Sequence, residues 1–242
     1  SLFSLSLKKP KKSRKIKKVK YFKLDFTNHK KLKKLKNDYD YVINAGGYYT
    51  VSEDKKKLKN NINKHLTGLK NIINFLDKKK LRKFIQIGSS LEYDSLSSPL
   101  IESMTCRPKN YYGKIKLKCT KYALRSYHVR KYPISVIRLF SLYGDNQNKG
   151  LIFDTLYSAK TKNFFPTSLG NQRKDFCHID DVIDAIFKIL FSKKTNGEIF
   201  NVGYGKPFFV KEVISYIVSK INYGKPKWGA IKLKNTDNLC FY

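Results

Sequence analysis

The chain has 242 residues, 41% hydrophobic and 14% aromatic, and a formal net charge of +33. That length and apolar content suit a globular protein of one large or two unequal domains and exclude a disordered chain, and no apolar run approaches the roughly 18 residues of a membrane span. The charge invites a nucleic-acid or anionic-surface partner, but 44 Lys against 7 Arg, spread along the whole chain, fit compositional drift better, because readers of bases and phosphates favour the bidentate Arg fork.

In chain order, short β-type runs alternate with amphipathic stretches. The opening SLFSLSL is short for a leader and has no basic segment before it. Residues 2–7 read as a strand whose preceding sequence is absent, and KKPKKSRKIKKVK (8–20) follows as a local basic patch. Residues 19–26 (VKYFKLDF) form a second strand, and 39–47 (YDYVINAGG) an apolar run ending in two glycines. A long helix is predicted over about 54–76, a fourth strand over 83–90 (KFIQIGSS), a helix over about 109–131 and a fifth strand over 134–140 (ISVIRLF). After Gly144 the pattern loosens. A helix near 151–160 precedes the helix DVIDAIFKILF, with Asp180 or Asp181 as its N-cap. A strand over 198–205 ends in a glycine-rich turn, and an amphipathic helix covers 210–221.

This alternation predicts an α/β protein with a parallel sheet covered by helices on both faces. In such a sheet ligands bind beyond the carboxyl ends of the strands. Asp25, Asn44, Gly46, Gly47, Ser89, Ser90 and Ser141 fall there. Cys106, Cys119, Cys177 and Cys240 make no C-x-x-C pair and no Cys/His cluster. That is the pattern of reduced thiols in a cytoplasmic protein, with neither a metal site nor a disulfide framework.

Tyr112 stands four residues before Lys116, one helical turn. The spacing alone carries nothing: Tyr127/Lys131, Tyr216/Lys220 and Tyr223/Lys227 repeat it, and chance placement of so many Tyr and Lys gives roughly three matches. The neighbours single out one copy. Ser89 and Ser90 end a strand, and Tyr112 opens the next helix. A serine and a phenol can thus meet one substrate oxygen. A cation one turn away favours the phenolate over a phenol of pKa about 10. Such a group exchanges a proton with a carbinol or carbonyl while a nicotinamide exchanges hydride.

The ordered blocks LDFTN, YVINAGGY, FIQIGSSLEYD, YYGKIKL, VIRLFSLYGDNQ, GNQRKDFCHIDDV and GEIFNVGYGKP resemble the extended short-chain dehydrogenase/reductases of the NAD-dependent sugar-nucleotide epimerase/dehydratase family. The resemblance spans about residues 5–221. It implies a Rossmann-type doubly wound sheet: an incomplete NAD(P)-binding domain over 1–148 and a substrate-binding part over 149–242, with about 175–203 packing back on the sheet. The cofactor would be NAD or NADP and the substrate a nucleotide sugar. The resemblance further implies a homodimer, built through helices that include the one bearing Tyr112, and no membrane or nucleic-acid partner. By position, Tyr112 is the proton-transferring base. Lys116 lowers its pKa and holds the nicotinamide ribose. Ser89 is the catalytic serine, with Ser90 as the fallback. Asp25 and Phe26 match the pair at the adenine, Ala45, Gly46 and Gly47 the turn along the cofactor, and Leu139 the segment beside the nicotinamide. Ser141, Lys174 and the adjacent Arg173 match positions facing the substrate's nucleotide and diphosphate.

The chain also departs from the family pattern. Ser141 stands where Asn is usual, Lys174 where Arg is usual, and His65 where the long helix usually carries Asn. No glycine precedes Gly46, so the glycine-rich loop that cradles the pyrophosphate is not in these residues, and the ending NTDNLCFY falls within what resembles the substrate domain. The expectation is a fragment. Family dehydratases place acids directly after the catalytic residue, whereas here Ser90 and Leu91 come first and Glu92 is one position late. Epimerase or reductase therefore ranks above 4,6-dehydratase. A nucleic-acid-binding protein and a non-catalytic remnant are the readings from other classes. Blander roles are expected for His65 (packing), His178 (near a helix cap) and Glu92 (supporting the site or facing solvent).

Overall fold

The computed structural model describes residues 1–8, 10, 12, 15–47, 55–93, 98–233 and 240–241, without the side chains of 55–59, 61–63 and 240–241. The expected helix start at Asp54, three basic positions of the 8–20 patch and most of NTDNLCFY lie outside those residues.

Strands β1 (Leu2–Ser6) and β2 (Val19–Lys23) pair in parallel, with Leu2 opposite Val19. A second sheet runs in the order β3 (Tyr41–Asn44), β4 (Lys83–Ile87), β5 (Ile134–Leu139), β9 (Ile199–Val202). β3 and β4 are parallel, with Tyr41 opposite Lys83. Phe84 N–H donates to the Pro133 carbonyl (2.8 Å) and Gly88 N–H to that of Ile137 (2.6 Å), a constant offset that makes β4 and β5 parallel too. Every residue of β4 is buried, as expected for a central parallel strand. In the doubly wound strand order 3-2-1-4-5-6, β2 and β1 take positions 3 and 2, and β3, β4 and β5 take 4, 5 and 6. Among the described residues, β1–β2 and β3–β4–β5–β9 are separate sheets.

The chain forms two compact units. The first comprises residues 1–87, 115–136 and 193–198. It holds α1 (His29–Leu32), α2 (Lys55–Phe75) and most of α3 (Tyr111–Arg130), around a core that includes Leu69, Ile73, Phe84, Ile85, Ile115 and Ile134. Lys83 is buried at the start of β4 and donates to Ser135 Oγ (3.2 Å), Thr195 Oγ1 (2.7 Å) and Asn196 Oδ1 (2.5 Å). All three ammonium protons are therefore used, and burial pushes the amine down to about 8.

The second unit comprises 88–114, 137–192 and 199–242. Its short strands β6 (Ser141–Tyr143), β10 (Pro207–Phe209) and β12 (Cys240–Phe241) all pair with β8 (Arg173–His178). β7 (Phe164–Pro166) pairs with β11 (Lys225–Lys227). Helices α4 (Leu151–Thr161) and α6 (Val210–Ile221) enclose a cluster of Ala159, Phe165, Val210 and Ile214.

The strand–helix alternation read from the sequence holds, with elements trimmed at their ends for local reasons. β2 stops at Lys23 because Asp25 Oδ1 accepts from Thr27 N–H (2.9 Å) and Thr27 Oγ1 (2.7 Å), turning the chain. β9 stops at Val202 because the next turn wraps buried Asp175, whose oxygens accept from Tyr204 and Gly205 N–H, both at 2.6 Å. The cap expected at Asp180 or Asp181 is instead His178. Helix α5 (Ile179–Leu190) begins earlier, and His178 Nδ1 accepts from Asp180 N–H at 3.3 Å. The two acids then occupy the first turn, where the helix dipole favours negative charge.

Candidate active site

In the second unit, the end of β4 runs into a tight helical turn, Ser90–Glu92. Ser89 caps it: its Oγ accepts from Leu91 N–H (3.2 Å), and Glu92 Oε1 accepts in return from Ser89 N–H (3.0 Å). This reciprocal capping box fixes the serine backbone. It leaves the Ser89 hydroxyl proton for another acceptor. Ser89 and Ser90 are both buried.

Tyr112 lies in the first turn of α3 and is half-buried. The next residue explains how that helix start approaches the serine turn. A Cβ on Gly113 would lie 2.0 Å from the Leu91 carbonyl oxygen and 2.9 Å from Pro108 Cβ. Only glycine admits so close a backbone approach. Gly113→Ala must push α3 away from the serine turn. The expected cost is about 1–3 kcal/mol of stability together with a loss of turnover, read by thermal melting and kcat. An alanine variant with wild-type activity would remove the significance of this contact.

Glu92 was expected to support the site or to face solvent, and it is fully buried. Its Oε2 accepts from Arg138 Nε at 3.0 Å, and the two side chains are 0% and 3% exposed. Arg138 also donates to Tyr93 Oη (2.6 Å), and its guanidinium lies 4.4 Å from the centre of the Tyr93 ring. Tyr93 Oη donates to Asn201 Oδ1 at 2.8 Å. Burial pushes the Tyr93 phenol up despite the neighbouring Arg138, so it stays a donor at neutral pH. Sequence reasoning missed this chain of contacts, since Glu92 and Arg138 are 46 residues apart.

Leu139 ends β5 and is partly buried. The β6–β8 register sets Ser141 opposite Phe176. Lys174, two residues before Phe176, shares that face because strand side chains alternate. Arg173 lies on the other face, with its guanidinium 4.5 Å from the centre of the Phe209 ring.

In the first unit, Lys116 follows Tyr112 by one turn of α3. It is buried, and its Nζ donates to the Ile87 carbonyl at 2.7 Å. Ile87 precedes Ser89 by two residues, so the ammonium is held at the strand end from which the serine turn departs. The same unit contains a cleft of about 440 Å³ lined by Ser6, Lys8, Phe26, Asn44, Gly47 and His65 among others. That volume lies in the range of small-ligand sites. Asn44 builds its floor: Nδ2 donates to Gln86 Oε1 (2.8 Å), while Oδ1 accepts from Gly46 N–H (3.2 Å). A Cβ on Gly46 would lie 2.7 Å from the Phe26 ring, and one on Gly47 2.3 Å from the His65 ring. Ala45, Gly46 and Gly47 line the cleft with little side-chain bulk, and His65 is packed against Gly47. Asn71 Nδ2 secures the Phe26 wall by donating to the Phe26 carbonyl at 2.9 Å. Asp25 sits beside Phe26 with its carboxylate turned to Thr27. These residues fit the adenosine half of a dinucleotide: an aromatic wall, a turn of small residues and hydrogen-bonding groups at strand ends.

A model of the NAD dependent epimerase/dehydratase family matches residues 5–203. A dTDP-L-rhamnose 4-epimerase of Burkholderia thailandensis is 30% identical over 128 residues, covering 50% of this chain and 34% of that protein. A CDP-abequose synthase of Yersinia pseudotuberculosis is 30% identical over 186 residues, covering 74% of this chain and 61% of that protein. The chain thus spans less than two thirds of the length of either relative. The crystal structure of a UDP-glucose 4-epimerase with UDP-glucose, from Thermotoga maritima, superposes with a TM-score of 0.88 at 16% identity, over 99% of this chain and 80% of that one.

Proposed function

This chain belongs to the NAD dependent epimerase/dehydratase family, and from that premise we propose that it serves an NAD(P)-dependent sugar-nucleotide epimerase or reductase with Ser89, Tyr112 and Lys116 at its centre. The observation that carries the reading is the approach of Gly113 to the Leu91 carbonyl, which brings the helix start bearing Tyr112 against the capped serine turn. When bound, the nicotinamide supplies the hydride acceptor or donor. Tyr112 Oη moves the proton to or from the sugar oxygen. Ser89 Oγ hydrogen-bonds that same oxygen and orients it. Lys116 places a cation one turn below the phenol, which favours its ionised form. Lys174 and Ser141, on one sheet face, bind the diphosphate and nucleotide, with Arg173 adding positive charge nearby.

The dehydratase alternative is disfavoured by Glu92. Elimination of water requires an acid to protonate the departing hydroxyl. Glu92 is the carboxyl group of the serine turn; it is fully buried, with Oε2 in the ion pair with Arg138 and Oε1 accepting from Ser89 N–H. The test is product analysis of protein supplied with NAD(P) and nucleotide sugars. Products altered in configuration or reduced at the sugar C4 are expected. A 4-keto-6-deoxy product would overturn this choice.

A further inference from the structure

The connection from the serine turn to α3 carries Tyr112 to its place, yet residues 98–110 form neither helix nor strand. Such a segment keeps a fixed course only where side chains on rigid elements hold it. Asn201, on strand β9, holds the connection at three points. Its Oδ1 accepts from Tyr93 Oη (2.8 Å), its Nδ2 donates to the Leu100 carbonyl (2.9 Å), and its backbone N–H donates to Glu102 Oε1 (2.7 Å). A carbonyl only accepts, so the amide nitrogen faces Leu100 and the amide oxygen faces Tyr93. Tyr93 and Leu100 form one buried cluster, with Leu91, Met104, Cys106 and Phe140 packed against it. Leu91 belongs to the serine turn, and its carbonyl is the group that Gly113 approaches. β9 is itself anchored beside β5, where the Val202 carbonyl accepts from Phe140 N–H at 3.3 Å. β5 in turn supplies Arg138, which bonds both Glu92 and Tyr93.

We propose that Asn201 is a positioning residue for the active site: it clamps the connection between the serine turn and α3, and so sets how Ser89 Oγ and Tyr112 Oη stand to each other. It acts through Tyr93, Leu100 and Glu102. A serine and a phenol that share one substrate oxygen tolerate little error, since a misplacement of about 1 Å can cost roughly 10²-fold in rate. The inference rests on reading Ser89 and Tyr112 as a pair that acts on one substrate oxygen.

Asn201→Ala removes both side-chain bonds and leaves the backbone bond to Glu102. The expected result is a fall in kcat of about ten- to a hundredfold. NAD(P) affinity should stay unchanged, because the cofactor cleft is lined by residues of the first unit. Hydrogen exchange should quicken in residues 98–110 and stay slow in β4 and β5. Asn201→Asp makes the same test with a side chain of equal size. It keeps an acceptor for Tyr93 but turns a carboxylate oxygen toward the Leu100 carbonyl, and kcat should again fall. A cycle with Ser89→Ala separates positioning from general weakening. Positioning predicts that Asn201→Ala costs little once Ser89 is gone, because no serine is left to align with the phenol. Wild-type kcat in both Asn201 variants, or losses that multiply in the double variant, would overturn the inference and leave the proposed chemistry standing. Turnover of Ser89→Ala at the wild-type rate would overturn both.

Discussion

Tyr112→Phe is expected to lower kcat by about 10²–10⁴-fold, the usual contribution of a positioned proton-transfer group. The substitution keeps the ring and removes only the hydroxyl. Nucleotide binding and the melting temperature should therefore stay near wild type, which separates a lost proton from a lost fold. The other Tyr-x-x-x-Lys copies provide the control. Tyr216 is 65% exposed on α6, and Tyr223 bonds Asn163 on the surface. Tyr216→Phe should leave turnover unchanged. If Tyr112→Phe also turned over at the wild-type rate, the phenol would have no chemical role.

The second large effect is on stability. Arg138→Met strips Glu92 of its cation in a site with no solvent access. Breaking a buried pair from one side costs about 3–5 kcal/mol, a large part of the 5–15 kcal/mol that holds a typical domain together. For a chain of this size that is a fall of roughly 6–20 °C in Tm. Tyr93 would also lose the guanidinium that bonds its hydroxyl and stacks on its ring. Glu92→Gln added to Arg138→Met should recover part of the loss, because the amide keeps an acceptor for Ser89 N–H and carries no charge. Thermal melts of the two single variants and the double complete the cycle. Strict additivity would show that the two side chains do not act as a pair.

The elements legible in the sequence were those long enough to show a period. β4 (KFIQI) reads as a short strand built on Phe84, Ile85 and Ile87, and α5 and α6 as amphipathic helices; each lies within a residue or a few of its expected place. Strands of three residues, such as β6, β7, β10 and β11, contain too little pattern to be seen, and their pairing depends on partners dozens of residues away. The cap of α5 went to His178 rather than to either Asp because the helix starts one residue before them, a boundary that local propensity does not fix.

Of the candidate site, Ser89, Ser90, Tyr112 and Lys116 were legible through the order of their blocks, and Ala45 to Gly47 through the strand-end glycines. The network behind Ser89 was not. Glu92 looks like an ordinary polar residue in SSLEYD, and nothing local pairs it with an arginine in β5. The role of Gly113 was hidden for a related reason. Its neighbour Leu91 is 22 residues away in the chain, and the contact exists only once α3 folds against the serine turn. The faces of Lys174 and Arg173 became distinct only through the β6–β8 register.

Tracing deuterium from the reacting carbon tests the central chemistry most directly. A nucleotide sugar labelled at C4 is incubated with the protein and NAD(P)⁺, and the label is followed by mass spectrometry. Hydride transfer predicts that deuterium remains on the sugar carbon or moves to the nicotinamide, and that Tyr112→Phe suppresses both product and nicotinamide labelling. Loss of the label to solvent water during turnover would contradict it, because the carbon would then have given up a proton rather than a hydride.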